Sequence, residues 1–419
     1  MPEVRRLLPK GHTRSHPVSG ERCQERGFDQ ALARARAMTS EAIIHEVTQS
    51  GIKGRGGAAF PTGLKWASVA QAPGETKYMV MNADESELGT FKDRVLLQDD
   101  PLGALTGLVI AAQAIGARRA YCYIRGEYRD VEQILAQALD FMRHQGWVGP
   151  DTVDVEIRRG AGAYIAGEET ALFNSIEGKR PEPRVKPPFP THRGLWGCPT
   201  LIHNVETLAN IAVLFAHDVP WFHEFGTAES PGTKLVALSG HIRRPGVYEV
   251  PFGTSLSAII EAADLGGGLA GSGRLGTVLL GGAAGTFLSP EEVAASHLDY
   301  ASLRTRGASI GSGAVMVFDD GVDVSWVLTK LARFFAEESC GQCVPCRIGS
   351  RRLWEMAQSG VLWERDHDVR ALGQAMKDAS ICGLGQTAPL AVLSILDRPA
   401  LREGADRKGR KEPWQPPLP

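Results

Sequence analysis

Three cysteines at two-residue intervals stand in Glu338-Ser-Cys-Gly-Gln-Cys-Val-Pro-Cys-Arg347, and a fourth follows in Ile381-Cys-Gly-Leu-Gly385. Cys340, Cys343 and Cys346 are gripped by one local loop, and Cys382 closes the fourth corner from a distant segment. Such a tetrathiolate set holds either an iron–sulfur cluster or zinc. The two paired knuckles usual for zinc are not present, and Pro345 stiffens the loop between the second and third ligands. The spacing therefore favours a cluster and leaves zinc open.

Upstream segments carry the other candidate chemistry. Residues 51–66 are glycine-dense, but they are neither a P-loop nor a G-x-G-x-x-G turn in its usual strand-to-helix setting. The bare backbone at Gly51, Gly54, Gly56, Gly57 and Gly63 suits close approach of a planar or phosphorylated ligand. Arg55 and Lys65 add positive charge and Phe60 an aromatic face; a plain surface loop is the competing reading. Asn82-Ala-Asp-Glu-Ser-Glu87 sets Asp84, Glu85 and Glu87 together after a strand, where they need a metal, a donor-rich ligand or water. In isolation a solvated loop explains them. Glu168 and Glu169 at a helix start are explained by the helix dipole alone. Arg180-Pro-Glu-Pro-Arg-Val-Lys-Pro-Pro-Phe-Pro190 must be an extended strap, because proline removes donors and fixes φ. Arg180, Arg184 and Lys186 there suit a pyrophosphate and Phe189 a stacked ring, unless the strap is only a connector.

The elements that must position these groups follow from the pattern. A helix is expected over 39–47, strands over 77–81, 120–124 and 153–157, and helices over 102–115, 131–143 and 168–177. Strands alternating with helices imply βαβ units and a mainly parallel sheet with its site at the strand ends. From 233 the texture changes to strand 233–239, turn, strand 247–250, helix 255–263 and a later strand 314–318, an order resembling a β-grasp module. Helices over 326–338, 348–359 and 368–379 bracket the cysteines. Residues 1–38 read as a basic, loosely ordered arm and 402–419 as a disordered tail.

The totals agree with a protein that needs no staples. Its 419 residues, 43% hydrophobic and 22% charged, allow two or three domains with a real core. The formal charge of −2 gives no reason to expect nucleic acid. Cys23, Cys122 and Cys198 are scattered, which is cytoplasmic usage rather than a disulfide framework. No signal-type apolar core and no spanning run is evident, so any membrane contact is expected to be indirect.

Taken in order, 54–66, 82–87, 163–171, 186–190, 204–210 and 338–347 give the chain a specific resemblance. It resembles the NADH-binding flavoprotein (51 kDa type, the F subunit) of respiratory NADH:quinone oxidoreductase, complex I, over residues 40–395. Diaphorase subunits of NAD-linked formate dehydrogenases and hydrogenases share that family. The resemblance implies an α/β fold: a Rossmann-like FMN/NADH-binding domain (39–232), a ubiquitin-like β-grasp domain with a return segment (233–325) and a helical bundle (326–401) carrying a [4Fe–4S] cluster. It implies that Gly54, Arg55, Gly56, Gly57, Lys65, Asn82, Asp84, Glu85 and Ser86 hold FMN. Tyr164, Gly167, Glu168, Ile202, His203, Asn204 and Thr207 would complete that pocket. Phe60, Glu87, Glu169, Lys186 and Phe189 would face NADH, Glu87 and Glu169 being the catalytic candidates, and Cys340, Cys343, Cys346 and Cys382 would ligate the cluster. The activity implied is hydride transfer from NADH to FMN, then single electrons to the cluster, to partner iron–sulfur subunits and ultimately to quinone. The partners implied are a thioredoxin-like [2Fe–2S] subunit of the 24 kDa type, expected as a separate chain, and a larger iron–sulfur subunit. The location implied is cytoplasmic, peripheral to the inner membrane through the complex.

Acids near the adenosine end would disfavour a 2′-phosphate and so favour NADH over NADPH. Several positions depart from the family pattern: Ala59, Ser68, Leu88, Ala166 and His203. Ser68 is expected to weaken nucleotide stacking, and His203 to sit beside the flavin and tune its potential through a hydrogen bond. One alternative keeps the chemistry in a soluble formate dehydrogenase or hydrogenase. Another, a non-catalytic iron–sulfur scaffold, is opposed by the retained Lys65, Glu87, Glu168 and Glu169.

Overall fold

The structure is a computed structural model and describes residues 4–9 and 17–401. Its first sheet is parallel, with β1 (Tyr78–Ala83), β2 (Arg119–Ile124), β3 (Asp154–Arg159) and β4 (Thr200–Asn204) in the order β3-β2-β1-β4. The chain runs outward from β1 through β2 to β3 and then returns to the other side of β1. The topological switch point therefore lies between β1 and β4, where a parallel sheet presents its ligand crevice. Asn82 near the end of β1 and Asn204 at the end of β4 stand side by side in register.

Strand alternation decides what faces which way. Met79, Met81 and Leu201 point into the larger core, under the helices Pro101–Ile115 and Val205–Ala216. Val80, Tyr123 and Ile202 point to the opposite face, against Leu172 and Phe173 of the helix Glu169–Ile176. Pro101–Ile115 is apolar on nearly every side, starts at the Asp100 N-cap with proline in its first turn, and ends at left-handed Gly116. It packs so closely on Val205–Ala216 that a Cβ on Gly107 would lie 1.9 Å from the Leu208 carbonyl oxygen.

The arm expectation is corrected. Gly20–Glu25 and Phe28–Arg36 are helices, and Phe28, Ala31, Leu32 and Ala35 are buried at helical spacing. Their arginines read as an arm but are spent on partners: Arg26 meets Asp100 at 3.1 Å and Arg34 meets Glu46 at 2.8 Å. The tail expectation for 402–419 lies outside the described residues.

The second sheet holds β5 (Thr233–Gly240), β6 (Gly246–Pro251), β7 (Leu275–Leu280), β8 (Thr286–Leu288) and β9 (Ala314–Asp319), ordered β8-β7-β9-β5-β6. Central β5 and β9 run parallel and the other pairs antiparallel, with the short helix Leu256–Glu261 against their own core. The helices Val324–Glu338, Val344–Gln358, Asp366–Ala379, Gly383–Thr387 and Leu390–Leu396 follow, around Leu328, Phe335, Leu353, Met376 and Ile395. The helix expected from 348 begins at Val344, because Pro345 fits a first turn whose N–H groups have no helical partner anyway. Among the described residues no single helix is long and apolar enough to cross a membrane. Lys92–Asp99 and Pro101–Ile115 reach that length only together, bent by 97°.

Candidate functional site

A cleft of about 570 Å³ opens at the switch point. Its lining comes from Gly56 and Gly57 of the glycine loop, the end of β1 and the residues after it (Asn82 to Asp93) with Asn204 at the end of β4, the Tyr164–Gly167 turn with Glu168, and loops of the second sheet and helical bundle. Eight glycines line it, namely Gly56, Gly57, Gly167, Gly281, Gly285, Gly307, Gly311 and Gly383, so much of its wall is bare backbone. At Gly282, φ is +85° and a Cβ would lie 2.5 Å from the Glu87 carboxyl carbon, so this turn can close on the acid only as glycine.

The acidic loop is folded inward rather than solvated. Asn82 turns it by accepting from the Asp84 N–H at 3.1 Å, while its amide donates to the Gly167 carbonyl at 2.8 Å. Glu85 is buried and accepts from the N–H groups of Asp93 (2.8 Å) and Arg94 (2.9 Å), at the start of the helix Lys92–Asp99. Glu87 lies in the cleft wall and accepts from the Ala284 N–H at 3.0 Å. Desolvation is the main reason that Asp84, Glu85 and Glu87 are each pushed up to about 7. Asp84 and Ser86 face each other, but at a geometry that leaves Asp84 Oδ2 and Ser86 Oγ buried without a hydrogen bond. Orphaned polar atoms beside bare backbone fit a ligand rich in donors and acceptors, as a flavin nucleotide is.

A layer of charge underlies the cleft floor. Lys92 is 1% exposed and its Nζ reaches Asp93 (2.6 Å), Glu206 (3.0 Å) and the Asn204 amide oxygen (3.2 Å). Glu206 is fully buried and also holds Lys234 of β5 at 2.6 Å and the Leu235 N–H at 2.9 Å. Burial opposes its charge, but Lys234, Lys92 and Arg55 together hold Glu206 below the usual carboxylate range. Sequence reading missed Lys92, Asp93, Glu206 and Lys234. The available signal was Lys234, a lone charge inside the apolar run of β5.

Lys65, Glu169, Lys186, Phe60, Phe189 and Gly54 surround the cleft without lining it. Lys65 Nζ donates to the Ile202 carbonyl at 3.0 Å and meets Glu169 at 3.4 Å. Lys186 joins Glu168 at 2.9 Å and Glu169 at 2.7 Å, and with Lys65 it holds Glu169 low against a desolvation that raises it. Glu168 also caps its helix, accepting from the N–H groups of Thr170 and Ala171. Phe60 and Phe189 are both 54% exposed. Gly54 spends its N–H on the Phe60 carbonyl.

Three expectations need correction. Arg55 offers the cleft no free charge: its N–H donates to Thr207 Oγ1 at 2.9 Å, and its buried guanidinium lies over Phe252 and donates to the Pro231 carbonyl. Thr207 is thereby a buried support. His203 is not among the cleft residues. It precedes Asn204 on β4, so alternation turns it to the other face, where buried Nε2 accepts from Trp66 Nε1 at 2.7 Å. Burial and nearby Lys65 hold that imidazole well below its usual range, hence neutral. Nor are the strap cations free for a pyrophosphate. Arg184 is spent on Asn174, Glu177 and the Gly194 carbonyl, and Arg180 donates to the Cys340 carbonyl at 2.8 Å.

The cysteines converge in the helical bundle. Cys346 and Cys382 are buried, and Cys340 and Cys343 half-buried. Cys343 precedes the helix Val344–Gln358, and Cys382 precedes Gly383–Thr387. Ser339 Oγ lies 3.3 Å from Cys346 Sγ, and a Cβ on Gly385 would meet Cys346 Cβ at 2.7 Å. Burial pushes the Cys346 and Cys382 thiols up to about 11, so as free groups they stay protonated at neutral pH, and a metal group would deprotonate them on binding. Among the described residues no three potential ligands close to the distance at which one ion would be shared.

Cleft and cysteines adjoin. Gly383 and Leu384, the two residues after Cys382, line the cleft itself. Tyr164 stands between, its N–H bonded to Glu338 at 2.9 Å and its ring against Phe334 and Phe335.

Comparison with known proteins agrees with both halves. Residues 47–213 match the Nuo51 FMN-binding domain, and 326–399 match the NADH-ubiquinone oxidoreductase-F iron-sulfur binding region. The second NADH-quinone oxidoreductase F subunit of Rhizobium meliloti is 43% identical over 82% of this chain and 81% of its own. The corresponding F subunit of Aquifex aeolicus is 40% identical over 89% and 87%. The NADP-reducing hydrogenase subunit HndC of Solidesulfovibrio fructosivorans is 41% identical over 89% and 77%. An NAD+-reducing [NiFe]-hydrogenase structure in the H2-reduced state superposes with a TM-score of 0.82 at 36% identity, over 93% of this chain and 65% of that one.

Proposed function

The chain belongs to the family of NADH-quinone oxidoreductase F subunits, and from that premise we propose that FMN and NADH meet in the cleft and electrons leave through the four cysteines. The protein is an NADH-oxidising flavoprotein with an FMN-binding domain and a [4Fe–4S] region. The observation that carries the proposal is the adjacency of the two sites, since the residues following Cys382 are themselves wall of the cleft. A two-electron site and a one-electron site gain from being neighbours.

Bound FMN supplies the hydride acceptance and the stepwise release of electrons, so the chain needs no general acid of its own. Its residues bind, orient and exclude water. Gly56, Gly57 and Asn204 offer close backbone and amide contact at the switch point, with Lys92 beneath. Asp84 Oδ2 and Ser86 Oγ offer unspent hydrogen-bonding groups. Glu87, held by the Ala284 N–H, is the carboxyl assigned to orienting nicotinamide. Lys186, bridging Glu168 and Glu169, is assigned to the nucleotide side with Phe60 and Phe189. The mixed second sheet is read as the β-grasp domain over 233–325, between the FMN domain (39–232) and the cluster bundle (326–401).

Within a respiratory assembly the chain would pass electrons to a [2Fe–2S] subunit and a larger iron–sulfur subunit, and would meet the membrane only through them. The second reading, a diaphorase subunit of a hydrogenase, is favoured by the hydrogenase relatives, and co-purifying chains separate the two. The test of the site is Cys382→Ala in the FMN- and cluster-loaded protein. NADH:ferricyanide reduction, which draws on the flavin, should stay within about twofold while the cluster's EPR signal disappears. Loss of bound FMN with the cluster intact would overturn the assignment.

A further inference from the structure

The four cysteines are not equally enclosed. Cys382 and Cys346 lie inside, on the side whose helix Gly383–Thr387 borders the cleft, whereas Cys340 and Cys343 are half-exposed. We propose that electrons leave over this Cys340–Cys343 edge onto a docking surface built by Val344, Ile348 and the arginines around them, and that this surface takes a one-electron carrier protein with an acidic face. This rests on the reading of the cysteines as cluster ligands.

Val344 and Ile348 are 59% and 49% exposed and stand four residues apart on one helix face, immediately after Cys343 and straddling Cys346. Around them Arg347 donates to the Gly341 carbonyl at 3.0 Å, and Arg180 donates to the Cys340 carbonyl at 2.8 Å. Arg351 and Arg352, 60% and 65% exposed, share the single carboxylate of Glu355, and Arg180 has only Glu182. Four guanidinium groups therefore face two carboxylates, on a chain whose formal charge is −2 overall. A small apolar centre with a rim of one sign suits a transient electron-transfer encounter, in which charge steers and the apolar pair seats the partner. Two side chains are too little apolar surface to anchor in lipid.

The test uses the FMN- and cluster-loaded chain with a plant-type [2Fe–2S] ferredoxin, an acidic carrier, as probe. Two reduced ferredoxins, NAD+ and one proton give NADH and two oxidised ferredoxins, so NADH formation counts the electrons crossing the surface. The wild type should lose about tenfold in kcat/KM between roughly 20 and 200 mM salt. R347E/R351E/R352E should lose at least about tenfold at low salt, and V344S/I348S a smaller amount with the salt response kept. NADH:ferricyanide reduction and the cluster EPR signal should not change in either variant. No ferredoxin reaction in the wild type, no salt response, or a charge-reversed variant as fast as the wild type would overturn the proposal. So would binding of the wild type to anionic phosphatidylglycerol vesicles that the same arginine variant abolishes. Absence of ferricyanide activity or of the EPR signal in the wild type would instead count against the underlying site reading.

Discussion

Glu87→Gln should make the cofactor-free protein more stable and the loaded one a poorer enzyme. Glu87 is lifted from 4.5 to about 7, first by desolvation, against which the Ala284 N–H and the nearby Ser312 hydroxyl work. Below pH 4.5 both folded and unfolded chains hold this proton and the residue contributes nothing. As pH rises the unfolded chain releases it first, so stability falls until the folded group also ionises near 7. The full loss is roughly 3 kcal/mol at about 1.36 kcal/mol per pKa unit, and the carboxyl's opening to cleft water reduces it to about 2. Glutamine keeps the shape and still accepts from Ala284. At pH 8 the variant should gain about 1–2 kcal/mol, a Tm rise of a few degrees, shrinking to under about 0.5 kcal/mol at pH 5. In the FMN-loaded protein kcat/KM for NADH should drop at least about tenfold, the loss of an interaction of about 1.4 kcal/mol. Thermal melts at the two pH values and NADH:ferricyanide kinetics read both effects. A variant less stable than wild type at pH 8, or equally stabilised at both pH values, would refute the desolvation argument.

Two further outcomes follow from packing. His203→Leu strands the buried Trp66 indole N–H, and should cost about 1–3 kcal/mol in a denaturation midpoint while leaving the flavin midpoint potential within about 15 mV, since the imidazole does not face the cleft; a larger potential shift would restore the tuning role. Gly107→Ala drives a methyl group into the Leu208 carbonyl, and because rigid backbone receives it the cost should reach about 3 kcal/mol or more. Bound FMN should fall with it, because the displaced helix begins at Asn204; an unchanged Tm and flavin content would mean that the two helices can part freely.

The residues legible in the sequence were those whose neighbours in space are also neighbours along the chain. The cysteine run declares its chemistry within a few positions, whereas the acidic and glycine loops gain theirs only when the segments are taken in order, and the alternation of strands and helices announced the parallel sheet and its crevice. Lys92, Asp93, Glu206 and Lys234 were illegible because a charge looks solvated until its distant partner is known. The first helices were hidden for a related reason: dense arginine masked the apolar spacing of Phe28, Ala31, Leu32 and Ala35. His203 went astray through adjacency, since proximity to Asn204 in sequence meant opposite faces of a strand. The loops of the second sheet that close the cleft carry little but glycine and small hydroxyls, and only the fold assigns them a place.

The bond between Glu206 and Lys234 has a consequence for how such a protein can be taken apart. One residue belongs to the helix leaving the first sheet and the other to the opening strand of the second, and neither sees water. A recombination event or an engineered truncation cutting between them would part Lys234, which burial already pulls down to about 7, from the carboxylate that helps it keep its proton. The seam between the two sheets is thus the worst place for a breakpoint, even though the chain's change of texture there makes it look like the natural one. The two sheets should travel together as one inheritable unit.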